Sequence, residues 1–482
     1  MHQKYHRLSC RKAVALKRRC LSVWMVGLLV CFAWLHHLRA QAPIEPLMDG
    51  FANQDEIWDF AYDTNNDLLF ISGAFQFSAN GVDLRGLAYY DGVALQAVPG
   101  LIDSCQGPCE TVVGLHWFQD TLWISRAYDD GTYGITRLSG TPGNWSVLHD
   151  SNVTNARIED FTTYRGEIYA LGAFTQFLGL NTEKIARKTA SGWVALPSIG
   201  LSSIPGAHFH CGHEFNDELY IGGDFSTGNY QSIAKWNGTA FSPVGNGLTG
   251  SVSWVNDFAT YKGQLYVGGG FYDSDGNPGN NVVVLQNGVM QPLGLGLTYL
   301  QNAHGFSEVS GMEVLNNRLY VSGAFHFANR LPASRIAYYD GVRWCAPSND
   351  TLARPLGDMA VYQGDIIVDT QGWYYRNTDT LKGIAKLDLT PPAACGTMVS
   401  VSELGSTHGI RLFPQPAQDQ FFLEDLAKGS LVQVYDLTGR QVRSWIAEDA
   451  AQGFSLQGLQ TGVYLIRVPS VNYSSKLVKK SW

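Results

Sequence analysis

Seven stretches of this chain repeat one phrase, and no other feature restricts its fold as strongly. They read Asp67–Phe75 (DLLFISGAF), Asp120–Ser125 (DTLWIS), Gly166–Phe174 (GEIYALGAF), Asp217–Phe225 (DELYIGGDF), Gly263–Phe271 (GQLYVGGGF), Asn317–Phe325 (NRLYVSGAF) and Gly364–Asp369 (GDIIVD). With Leu69, Leu122, Ile168, Leu219, Leu265, Leu319 and Ile366 as register marks, the intervals are 53, 46, 51, 46, 54 and 47 residues. A period near fifty belongs to propellers and solenoids.

The grammar inside each unit decides between the two. An apolar strand such as Val255–Tyr261 meets a tight turn at Lys262-Gly263, then a strand of alternating large and small residues, then a variable loop. A third strand ends in Asp91-Gly92, Asn237-Gly238, Asn287-Gly288 or Asp340-Gly341, pairs that favour a two-residue type I′ hairpin. A short fourth strand opens on an aromatic, as at Trp145, Trp193 and Trp344. Four antiparallel strands per unit without helical periodicity describe a blade, so the expected fold is all-β, a seven-bladed β-propeller. Fifty-two glycines fit many tight turns, and pairs such as Gly268-Gly269 are expected to let an aromatic, Tyr266 or Trp254, lie against the backbone. The seventh unit stops at Pro391-Pro392 one strand short, and the segment 43–53 is expected to supply the missing strand.

Before the repeats, residues 1–40 hold eight basic residues and no acid around an apolar run from Leu21 to Leu35. This is a secretory signal pattern with cleavage after Ala40; a retained anchor is the other reading, but the run is shorter than the ~20 residues that span a bilayer. Without it, 26 basic residues face 42 acidic ones, a net charge near −16, which argues against nucleic acid as a partner. Five cysteines then remain in an oxidising compartment. Cys105 and Cys109 are placed to pair locally. Cys345 and Cys395, about one blade apart, are placed to staple the last blade, a closure contributing up to roughly 4 kcal/mol. Cys211 is left over and read as buried.

The repeats resemble the kelch-like, galactose-oxidase-type propellers of secreted Bacteroidetes proteins, with Ile233-Ala234-Lys235-Trp236-Asn237-Gly238 and Ile336-Ala337-Tyr338-Tyr339-Asp340-Gly341 matching the second half of that motif. The resemblance covers 55–395 and implies fold rather than activity. After a linker at 396–408, residues 409–482 change pattern and read as a small β-sandwich. Leu412-Phe413-Pro414-Gln415-Pro416, Tyr435-Asp436-Leu437-Thr438-Gly439-Arg440, Gly462-Val463-Tyr464 and Lys476-Leu477-Val478 resemble the C-terminal sorting domain of the type IX secretion system, with Gln415 and Arg440 standing where Asn and Lys are usual. That resemblance implies the type IX machinery as partner and, once the signal peptide is removed, a secreted or outer-membrane-surface location. The propeller is thus expected to span 41–395.

Two constellations bear on chemistry. His208-Phe209-His210-Cys211-Gly212-His213 is dense in metal-ligand types, but strand alternation would put His208 and His210 on one face and Cys211 with His213 on the other, so no metal is assigned. Asp59, Asp160, Asp257 and Asp358 hold one aligned place in units one, three, five and seven, where Gly114, Cys211 and Gly311 stand in the others. Carboxylates near an axial channel can bind a cation or act as acid and base; accepting backbone amides between blades is the structural alternative. Asp273-Ser274-Asp275-Gly276-Asn277 has the spacing of a calcium loop without its bidentate Glu, and Asp129–Tyr133 resembles one sialidase Asp box. Neither is taken as a site, and no catalytic residue or cofactor is assigned.

The function expected is a monomeric, non-catalytic binding protein of the cell surface or medium, taking an extracellular polysaccharide or protein at the propeller mouth, with Asp59, Asp160, Asp257, Asp358 and His210 as candidate binding residues. The alternatives are an enzyme that degrades or oxidises an extracellular polymer, and a structural envelope component.

Overall fold

The computed structural model describes most of residues 44–389 and 411–480; residues 1–43, 48–55, 99–110, 300–306 and 390–410 and some shorter breaks lie outside the description. Backbone contacts divide the chain into Met1–Gly396 and Thr397–Trp482. Among the described residues the structure is antiparallel β throughout, with one 3-10 turn at Asp273–Asp275 and no α-helix.

In the first unit each copy of the phrase is the second strand of an antiparallel sheet. The strand Gln264–Gly270 shows why the phrase alternates large with small rather than apolar with polar. Leu265 and Val267 pack with Cys211 and Ile233 of the preceding repeat, whereas Tyr266 packs with Val309 and Leu319 of the following one. A strand buried on both faces needs apolar residues at every position. The innermost strands are Glu56–Asp63, Thr111–Phe118, Ile158–Tyr164, His208–Phe215, Trp254–Tyr261, Val309–Leu315 and Met359–Tyr362, and each contacts the next in chain order. The last also lies against the first: Ala360, Tyr362 and Ile367 share a core cluster with Ile57, Leu69 and Ile71. Tyr362 Oη donates to the Asp67 carbonyl across the same seam at 3.1 Å.

The sheet of the seventh repeat takes its outer strand from the N-terminal side. Ile44–Pro46 pairs antiparallel with Asp379–Leu387, setting Ile44 opposite Leu387. Ile44 is fully buried there.

Turn chemistry divides into two kinds. Arg165-Gly166, Asn216-Asp217, Lys262-Gly263, Asn316-Asn317 and Gln363-Gly364, between first and second strands, have positive φ at both residues, the requirement of a type I′ turn. Of the Asn-Gly and Asp-Gly pairs expected to do the same, only Asn287-Gly288 does so; there Gln286 pairs with Val289. At the other three the loop has four residues. The Asp91 carboxylate accepts the amides of Val93 and Ala94, as Asn237 does for Thr239 and Ala240 and Asp340 for Val342 and Arg343. The side chain caps its own turn and only the glycine takes positive φ.

The second unit has two antiparallel sheets. One holds Arg411–Phe413, Gln420–Glu424 and Gly453–Ser455; the other holds Leu431–Tyr435, Gln441–Ile446, Gly462–Val468 and Tyr473–Lys479. Phe421, Leu423 and Phe454 from the first meet Val434, Ile466 and Leu477 from the second in one core.

Candidate functional site

The site grows out of a defect repeated along the innermost strands. Pairing slips by one residue between Ile57 and Asp59, Ile158 and Asp160, Phe209 and Cys211, Val255 and Asp257, and Val309 and Gly311. Trp58, Glu159, His210, Asn256 and Ser310 are therefore bulge residues, left out of the ladder. A β-bulge bends its strand and re-aims the extra side chain.

The glycine of the repeated phrase faces each bulge. A β-carbon on Gly73, Gly172, Gly223, Gly269 or Gly323 would run into the carbonyl of Glu56, Arg157, His208, Trp254 or Glu308 respectively. These glycines make room for a displaced backbone, not for an aromatic ring as expected. The ring of Trp254 lies instead over Gly270, and Gly268 approaches Val309 and Met312 of the next sheet.

All five bulge residues line one cavity of about 960 Å³ in the first unit, together with Asp59, Asp160, Asp257 and Asp358. The sequence candidates thus come together, in two layers with different roles. In the deeper layer, Asp59 accepts the amide of Leu115 at 2.6 Å, Asp160 that of Gly212 at 3.0 Å and Asp257 that of Met312 at 2.6 Å. In each case the carboxylate of an odd repeat ties down the backbone of the even repeat that follows. The other oxygen of Asp59 and Asp257 accepts the amide of Phe60 and Phe258 at 2.7 Å.

Seven is odd, so the alternation cannot continue through Asp358. The amide it would take in the first repeat, that of Phe60, is already held by Asp59. Asp358 faces the Asp59 carboxyl group instead, where its charge disfavours ionisation of Asp59. Burial raises Asp358 to about 7, and burial with the charge of Asp358 raises Asp59. Burial outweighs the amide bonds at Asp160, pushed up to about 8, and raises Asp257. Glu313, in the same wall, is lifted to about 8 by burial and then by Asp358.

The upper layer is mixed. Trp58 Nε1 donates to Glu56 at 3.1 Å, and the Arg157 guanidinium lies 5.8 Å over the indole ring while its Nε donates to Glu159 at 2.8 Å. Asn256 Nδ2 donates to the Val309 carbonyl at 2.8 Å. The bulge corrects the alternation read from the sequence, since His210 and Cys211 both turn to Val255, whose carbonyl is 3.1 Å from His210 Nδ1 and 3.9 Å from Cys211 Sγ. His208 and His210 meet at 2.6 Å between Nε2 atoms. Burial, followed by His208, lowers His210 to about 4, and its Nδ1 lies toward the Val255 carbonyl. His213 is held apart by Thr260 at 2.8 Å. Among the described residues no three His, Cys, Asp or Glu side chains are grouped to hold a metal.

The remaining candidates are structural or outside the described residues. Asn277 of the calcium-like loop turns inward to the carbonyls of Thr249 and Tyr272, and Asp130 caps the amide of Thr132. Asp129, Cys105, Cys109 and Cys395, the signal segment, the linker and the Thr438-Gly439 turn lie outside the description. Cys211 is free and buried, whereas Cys345 is buried and is not a free thiol. Sequence reasoning missed Trp58, Glu159, Asn256 and Ser310, because a bulge shows only when strands are paired. The glycine facing each was the available signal.

Residues 411–480 match the secretion system C-terminal sorting domain, the type IX tail that implies export to the cell surface or medium. A search of curated proteins found no match. Among solved structures, PorZ, a bacterial surface component of the type IX secretion system of Porphyromonas gingivalis, is 12% identical over 89% of this chain and 70% of its own, with a TM-score of 0.34. Raptor of Chaetomium thermophilum is 10% identical over 73% of this chain and 29% of its own, with a TM-score of 0.40. U3-55K is 8% identical over 73% of this chain and 99% of its own, with a TM-score of 0.43. At such scores these likenesses lend no weight to a functional reading.

Proposed function

We propose that this chain is an extracellular binding protein: a kelch-like, seven-bladed β-propeller over 41–395 presents a ligand site, and a tail over 409–482 directs export through the type IX machinery. The signal peptide over 1–40 and the linker over 396–408 complete that organisation. Contact of the last innermost strand with the first, and the outer strand supplied by Ile44–Pro46, support a ring closed on itself. Pairing of Cys105 with Cys109 and of Cys345 with Cys395 belongs to the same reading.

The observation that carries the binding role is the division of the cavity wall. Three of its four deeper carboxylates are spent on neighbouring backbone, whereas the five bulge residues all differ and line the cavity. Recurrence serves the scaffold, and variation serves recognition. The test is retention of the purified chain on immobilised extracellular polysaccharides and proteins, with the supernatant assayed for new reducing ends or oxidised products. Retention without products is expected; turnover lost on Asp257→Asn would replace the binding reading with an enzymatic one.

A further inference from the structure

We propose that the bulge layer is a saccharide subsite for a neutral or amino sugar; this rests on the cavity being the ligand site proposed above. A cavity of about 960 Å³ has the dimensions of small-ligand pockets and is too small to admit a folded partner. Its upper wall combines one indole with planar polar groups. Trp58 has its donor engaged by Glu56 and one ring face under Arg157, so what it offers a ligand is the opposite ring face. In the same cavity wall stand Arg157, Glu159 and Asn256, which bring both donors and acceptors.

That mixture selects the ligand. An ammonium only donates and a phosphate only accepts, but adjacent sugar hydroxyls do both, and the C–H face of a pyranose packs on an aromatic ring. The groups are also held before the ligand arrives. Glu159 is fixed by Arg157, His210 by the Val255 carbonyl and Asn256 by the Val309 carbonyl. Side chains already ordered lose little entropy on binding. Charge narrows the class further, because Arg157 is the one Lys or Arg among the described lining residues and is already paired with Glu159, so an added carboxylate or sulfate meets no uncommitted Lys or Arg there. Uronic acids and sulfated sugars are therefore disfavoured relative to neutral hexoses and hexosamines.

The experiment is titration calorimetry of the full chain with four probes: neutral hexose, hexosamine and uronate oligosaccharides, and a lysine-rich peptide. Wild type is compared with Trp58→Ala, Trp58→Phe, Glu159→Gln and the exposed control Val93→Ser, each checked by thermal melt. Binding of a neutral or amino oligosaccharide, weakened at least ~10-fold by Trp58→Ala, less by Trp58→Phe and not by Val93→Ser, is the expected result. Uronate binding that depends on Trp58 overturns the neutral-or-amino class, peptide binding that depends on it overturns the saccharide class, and either leaves the cavity as ligand site. Saccharide binding indifferent to Trp58 and Glu159 overturns the cavity reading itself. Failure of every saccharide to bind overturns the proposal.

Discussion

Seven repeats with a carboxylate in every odd copy leave Asp358 facing Asp59, and the meeting has a sign that can be measured. A carboxyl group whose pKa is raised in the fold keeps its proton there after the unfolded chain has released its own. Its contribution is full below the ordinary carboxylate range and is lost as pH rises through the folded value. Asp358 at about 7, with Asp160 and Glu313 at about 8, sets that window between about pH 4 and pH 8. Glu183 acts the other way: hydroxyl bonds from Ser202 and Ser198 and loop amides outweigh its burial and hold it at about 2, so its contribution is lost only in strong acid. The melting temperature is therefore expected to be higher at pH 5 than at pH 8. Asp358→Asn, which removes one of the two facing carboxyls, should flatten that slope and raise the melt at pH 8. An unchanged slope in the variant would show that the pair at the seam does not govern it.

At the scale of a strand, the bulge and its facing glycine form one unit, and two alanine substitutions separate that role from ordinary turn chemistry. Gly269→Ala forces a β-carbon into the Trp254 carbonyl, with no flexible side chain to give way. It should cost ~3 kcal/mol or more, near the upper range of overpacking. Gly263→Ala, at φ +72° with nothing within 4 Å, should cost only the left-handed penalty of ~1–2 kcal/mol. Chemical denaturation of both would check the order, and equal costs would refute the role given to the bulge. The same pair shows what was legible beforehand. One antiparallel sheet per repeat and the common place of Asp59, Asp160, Asp257 and Asp358 follow from the repeat register, because register survives in a linear alignment; the separate three-stranded sheet of Leu297–Thr298, Phe327–Ala328 and Leu331–Pro332 does not. Trp58, Glu159, Asn256 and Ser310 could not be read off, since strict alternation assigns each to a face and only the paired neighbour reveals the slip. The four-residue loops at Asp91, Asn237 and Asp340 were likewise hidden: Asp-Gly suits a type I′ turn and a side-chain-capped loop alike, and strand pairing decides between them.

For the molecule as a whole, the two ends of the chain have separate tasks. Ile44 is buried among Ile366, Val368 and Leu387, where an Ile→Ala change costs ~2–5 kcal/mol. Deleting 41–47 should do more, because it also uncovers the edge of Asp379–Leu387, and exposed edges invite association. Size-exclusion chromatography should then show aggregates where the intact chain runs as a single species. At the other end, Thr397–Trp482 forms its own compact unit around Phe421, Val434 and Ile466, so it has what it needs to fold as an attached module. A reporter fused to 401–482 and expressed in a host with type IX secretion should reach the surface or medium, and the chain ended at Gly396 should stay in the periplasm. If the fused reporter stays there too, the tail alone does not direct export. If the shortened chain still leaves the cell, the export signal lies in the repeats.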